Sequence, residues 1–101
     1  MRSNINKSTP KHRTVNLSGC SSETELASFF ITQLKLLDLY EHNIDGLASH
    51  FFYRSNDGIP KKLTVEGYSI INHKIPTIAS KFSELLHEFE AQNSWFEYEL
   101  L

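Results

Sequence analysis

TVNLSGCSSETELASFFITQLKLL, residues 14–37, changes its hydrophobic period once, and that change decides the fold class. Thr14-Val15-Asn16-Leu17 alternates polar and apolar side chains, the period-two pattern of a short strand. Ser18-Gly19 ends it. Ser22-Glu23-Thr24-Glu25 then has the form of a capping box, with Ser22 at the N-cap and Glu25 reaching back from the third helical position. Leu26, Phe29, Phe30, Gln33, Leu34 and Leu37 follow at near-helical spacing, which predicts a helix from about Glu23 to Leu36. A strand that runs straight into an amphipathic helix opens an α/β unit.

The two periods keep alternating downstream. Asn43 is placed to cap a second, short helix whose inner face is Ile44, Leu47 and Phe51, with Asp45 in the first turn where a carboxylate suits the helix dipole. Arg54 to Pro60 contains Asn-Asp-Gly and reads as a surface loop. Lys62-Leu63-Thr64-Val65-Glu66 is a second alternating strand. A helical turn is expected near Ser69 to His73. Pro76 then starts a longer helix with a buried stripe of Ile78, Phe82, Leu85, Leu86 and Phe89. Asn93-Ser94 stops it, and Phe96 to Leu100 forms the last strand. Strands separated by helices run parallel through crossovers. All three strands alternate, so one sheet face is expected to be wet. The expected fold is therefore α/β, a three-stranded parallel sheet with helices packed mainly on one face. Its expected core is Val15, Leu17, Leu26, Phe30, Leu47, Phe51, Leu63, Val65, Phe82, Leu86, Phe89, Tyr98 and Leu100.

The chain has 101 residues, room for one modest core. Residues 1–13 are rich in Ser, Asn and Lys, contain Pro10 and show no periodicity, so a flexible basic tail is expected, with the folded domain over residues 14–101. Four of the ten basic residues (Arg2, Lys7, Lys11 and Arg13) lie in that tail, and none of the twelve acidic residues precedes Glu23. From Thr14 onward six basic residues face twelve acidic ones. An acidic domain argues against direct nucleic-acid binding by the folded part; the charge either merely keeps a small domain soluble or, more sharply, suits a positively charged partner. Cys20 is the one cysteine, which excludes an intrachain disulfide and suggests a reducing, cytoplasmic setting. No apolar run is long enough for a membrane span, and the first residues lack the apolar stretch of a signal peptide.

Catalytic and metal-binding patterns are weak. His12, His42, His50, His73 and His87 form no HExxH motif, and His42 and His50 lack the one-turn spacing of a helical metal pair. No metal or other cofactor is expected. Asp45, Ser49 and His50 supply the residue types of a hydrolase triad, but Ser49 and His50 are adjacent on one helix and point in different directions. No nucleophile elbow and no glycine-rich phosphate loop occur. Glu84, Glu88 and Glu90 lie on the polar part of the last helix, with Glu84 and Glu88 one turn apart. They read as a solvated face or, more sharply, as a protein-binding edge. The expectation is a protein that is not an enzyme.

Leu39-Tyr40-Glu41-His42-Asn43-Ile44-Asp45-Gly46-Leu47 resembles the signature of the barstar family, Tyr-Gly-x-Asn-Leu-Asp-Ala-Leu at the start of the second helix. Tyr40, Asn43, Asp45 and Leu47 match it, and Ile44 and Gly46 are conservative replacements. The order of elements from Thr14 to Leu100 is similar as well. The resemblance implies a ribonuclease inhibitor that inserts this loop and helix into the nuclease active site, with acidic side chains standing in for RNA phosphates. Carried over residue by residue, it implies partner contacts at Leu39, Tyr40, Asn43, Asp45, Ala48, Ser49, Glu88 and Gln92. The chain departs from the pattern where it matters. The family's central acid falls on Ser49, its tryptophan on Ala48, its glycine on Glu41 and the preceding tyrosine on Leu39. Glu41 restores one negative charge, and Glu84 extends the acidic flank.

The resulting expectation is a bacterial, cytoplasmic immunity protein that blocks the basic active-site cleft of a cognate ribonuclease toxin, as in toxin–antitoxin pairs or contact-dependent growth inhibition. The alternative is a non-inhibitory interaction or regulatory module on the same fold.

Overall fold

A computed structural model describes residues 11–53 and 58–101. The order of elements is β1 (His12–Asn16), α1 (Glu23–Leu34), α2 (Ile44–Phe52), β2 (Lys62–Glu66), α3 (Tyr68–Lys74), α4 (Pro76–Gln92) and β3 (Glu97–Leu100). The strands form one sheet in the order β1-β2-β3, and both pairings are parallel. The register places His12, Lys62 and Glu97 in one row, and Thr14, Thr64 and Glu99 in another. Alternation follows from this register. Val15, Leu63 and Val65 are buried, while His12, Thr14, Asn16, Lys62, Glu66, Glu97 and Glu99 are exposed on the opposite face. The fold is α/β with a three-stranded parallel sheet and four helices, as the two-period pattern indicates.

Local chemistry sets the element ends. Ser22 caps α1 by accepting from the Glu25 N–H at 3.2 Å, and Glu25 Oε1 accepts from the Ser21 N–H at 2.7 Å, one residue further back than a standard capping box. Lys35 takes the left-handed conformation (φ 57°) and stops α1 at Leu34, two residues before the expected end. The Leu36 N–H returns to the Ile31 carbonyl, which throws Leu37 outward to 64% exposure instead of extending the apolar stripe. Pro76 begins α4 as expected. β1 starts at His12, inside the segment expected to be tail. The Lys62 N–H donates to the Lys11 carbonyl, the Arg13 guanidinium donates to the Gln33 carbonyl at 2.8 Å, and the His12 imidazole bonds Thr64 Oγ1 at 2.9 Å. The rest of the expected tail, residues 1–10, and most of the expected Asn-Asp-Gly loop, residues 54–57, lie outside the described residues.

The core is aromatic. Phe30 of α1 meets Phe51 of α2 and Phe82 of α4, with ring centroids 5.8 and 5.6 Å apart. Phe51 meets Phe89 edge-on at 4.9 Å, and Phe89 meets Phe96 at 5.0 Å. Such tilted pairs add about 0.5–1.5 kcal/mol each beyond area burial. They lock α2 against α4, which fixes the surface described next. Eleven of the expected core residues are buried; Tyr98 and Leu100 are only half-buried, because β3 is an edge strand with cover on one side. Cys20 and Ile59 are buried from loop positions where no period announces them, and Phe96, the expected first residue of the last strand, is buried just before β3 begins.

Candidate functional site

The start of α2 is tied down from two sides. Asn43 Oδ1 accepts the Gly46 N–H at 2.7 Å, the ordinary N-cap bond. Glu23 Oε2, reaching over from α1, accepts the Ile44 N–H at 2.8 Å. Two of the four unpaired N–H groups of this helix end are thereby satisfied, and a carboxylate sits at the positive end of the dipole. Gly46 lets the preceding loop lie directly on the helix: a Cβ there would stand 1.8 Å from the Glu41 carbonyl oxygen. Asn43 Nδ2 in turn donates to Glu41 Oε1 at 3.1 Å and orients that carboxylate.

The loop before α2 is held by a relay. Ser28 Oγ of α1 bonds His42 Nδ1 at 2.6 Å, and His42 Nε2 bonds Asp38 Oδ1 at 2.8 Å. The residue types match a hydrolase triad, although not the Asp45, Ser49 and His50 set suggested by composition. Ser49 Oγ donates to the Asp45 carbonyl at 3.3 Å within α2, and His50 is buried with its ring against Tyr40 at 4.8 Å. Ser28 lies in mid-helix, where neighbouring N–H groups are engaged in the helix ladder. The relay fastens the loop to α1.

Between α2 and α4 runs a groove of about 300 Å³, lined by Glu23, Ile44, Asp45, Ala48, Lys81, Glu84, Leu85 and Glu88. Ile44 and Leu85 are its buried apolar lining; four carboxylates surround one ammonium. Among the described residues the only ion pair is His42–Asp38, so none of these four carboxylates is neutralised at contact distance. Glu84 and Glu88 also border a second groove, of about 390 Å³, with Ser83, His87 and Tyr98.

The sequence-expected partner residues thus fall into three sets. Asp45, Ala48, Glu84 and Glu88 come together around the groove. Leu39 and Glu41 are exposed on the loop, Leu39 at 52%. Tyr40, Asn43 and Ser49 are half-buried and already engaged, Tyr40 with His50, Asn43 as the cap and Ser49 within its helix. Glu23, Lys81 and the Ser28–His42–Asp38 relay were not anticipated. Their partners are far away in sequence, and no local signal marks them. Among the described residues no group of three or more His, Cys, Asp or Glu is arranged to hold a metal ion, and no helix is long and apolar enough to cross a membrane. No protein-family model matches the chain, and no curated protein matches it.

Proposed function

We propose that the protein is a non-catalytic inhibitor of the immunity type, which blocks the basic active-site cleft of a cognate ribonuclease toxin in the bacterial cytoplasm. The observation that carries this reading is the concentration of unneutralised carboxylates around one helix pair. Glu41 and Asp45 project from the start of α2, Glu84 and Glu88 from α4, and Glu23 lies between the two helices. A cleft that binds RNA phosphates presents the complementary arrangement of cations. Opposed fields of this kind accelerate encounter and fix orientation. The rigid mounting also fits the role, since a preordered loop loses less conformational entropy on docking. The resemblance of Leu39–Leu47 to the barstar signature supplies the partner class. Ile44 and Leu85 give the groove an apolar floor inside the acidic rim, and Leu39 adds an exposed apolar side chain on the neighbouring loop.

Co-expression with the product of the neighbouring gene, followed by co-purification and a ribonuclease assay, tests the proposal. The expected result is a stable complex in which RNA cleavage is blocked. The double variant Glu41→Lys with Asp45→Lys should abolish protection while leaving the thermal unfolding transition in place. Full protection by that variant, with unchanged salt dependence of binding, would overturn the reading.

A further inference from the structure

The two outer strands of the sheet are treated differently. In the observed register, β1 and β3 are edge strands on a shared centre, β2. On the β1 edge, the Asn16 N–H donates to Gln33 Oε1 and Gln33 Nε2 donates to the Asn16 carbonyl, both at 2.8 Å. The Gln33 amide thus occupies a position where an added strand would bond. Among the described residues the β3 edge has no such cover. The N–H groups of Glu97 and Leu101 point inward, to the carbonyls of Lys61 and Val65. Tyr98 and Leu100 therefore turn their N–H and C=O groups outward. No described residue bonds them. An uncovered edge of this kind is a template for strand addition.

Charge decides what can add. In an antiparallel self-pair that joins Tyr98 to Leu100 of a second copy, Glu99 stands directly opposite its own counterpart. In the register that joins Tyr98 to Tyr98, Glu97 faces Glu99 twice. Like charges directly opposite each other destabilise a strand pair, so these two registers disfavour a second copy. A strand with basic side chains on the open face and apolar ones on the covered face, beside Tyr98 and Leu100, is favoured. On the open face it meets the exposed carboxylates of Glu97 and Glu99. On the helix-covered face it lies beside the groove between Tyr98 and α4, bordered by Glu84 and Glu88. We infer that the β3 edge is a docking site for an extended segment of another protein in which Lys or Arg alternates with β-branched apolar residues. This inference does not rest on the inhibitor reading, although the two surfaces share the Glu84–Glu88 ridge.

The test uses the full chain and two synthetic peptides of about eight residues, the length of an ordinary strand, one alternating lysine and valine, the other glutamate and valine. Amide hydrogen exchange and titration of amide resonances are the readouts. The lysine–valine peptide is expected to bind and to slow exchange at Tyr98 and Leu100, and the glutamate–valine peptide is not. Leu100→Pro removes an outward N–H that the sheet does not use, and should weaken binding about tenfold. If that variant loses its thermal transition, Glu97→Lys with Glu99→Lys carries the test, since it leaves every main-chain group in place; it should reverse the preference between the peptides. The Glu41 and Asp45 charge reversal should leave this binding unchanged, which separates failure here from failure of the inhibitor reading. No binding, equal binding of both peptides, or protection confined to α2 would overturn the proposal.

Discussion

Gly46 carries a constraint that its neighbours do not. The Glu41 main chain rests against the helix where a side chain would otherwise stand. Gly46→Ala is expected to destabilise the protein by about 1–3 kcal/mol, the usual cost of overpacking, and to push the loop off α2. Urea unfolding together with loop amide exchange checks both effects. Gly67 is constrained for a different reason, combining φ 80° with a Cβ position 2.5 Å from the Ser18 nitrogen. Cys20 makes a second residue-scale case. Burial, reinforced by the Glu25 charge and opposed by Lys74, pushes its thiol up to about 11 from 9.0. An acid whose pKa rises on folding keeps its proton longer in the native state. Its contribution is fully present below pH 9 and is lost as pH rises from there toward 11. The urea midpoint of the native chain should therefore fall more steeply over that window than that of Cys20→Ala. Iodoacetamide should label the folded thiol far more slowly than the unfolded one.

At the scale of elements, α2 is the least self-sufficient helix in the site. It has nine residues, too few for stability on its own, and its start is completed from α1 by Glu23. Glu23→Ala should cost about 1–2 kcal/mol, in the range of a lost N-cap. Glu23→Gln keeps an acceptor and should cost less; comparing thermal unfolding of the two separates the bond from the charge. How far the elements were legible follows from the same distinction between local and distant partners. β2 and the start of α4 were legible to the residue, because alternation and Pro76 are signals within a few positions. The end of α1 was missed by two residues, because Lys35 adopts a left-handed turn usually marked by glycine. The bond from Glu23 to Ile44 and the one from Ser28 to His42 join residues 21 and 14 positions apart, so no pattern in the chain announces them. Asp45, Glu84 and Glu88 were named from the sequence, with Glu41, as parts of one negative field, and the first three line one groove; Glu23, which α1 brings to the same groove, was not foreseen.

For the molecule as a whole, charge segregates with the fold. α2, α4 and β3 are acidic, so binding of any cationic partner should weaken as salt rises. Sheet topology adds a consequence of another kind. β1 pairs with β2 across 50 positions, His12 to Lys62, and β2 pairs with β3 across 35, Lys62 to Glu97. No strand can find a partner locally, and each pairing closes a long loop before its bonds form. During synthesis α1 and α2 leave the ribosome with only the unpaired β1 of the sheet beside them until Glu66 has followed, so much of their apolar surface waits uncovered while the central strand is still being made. The parallel order that holds the finished sheet together thus leaves the nascent chain exposed to off-pathway contacts until its central strand is made.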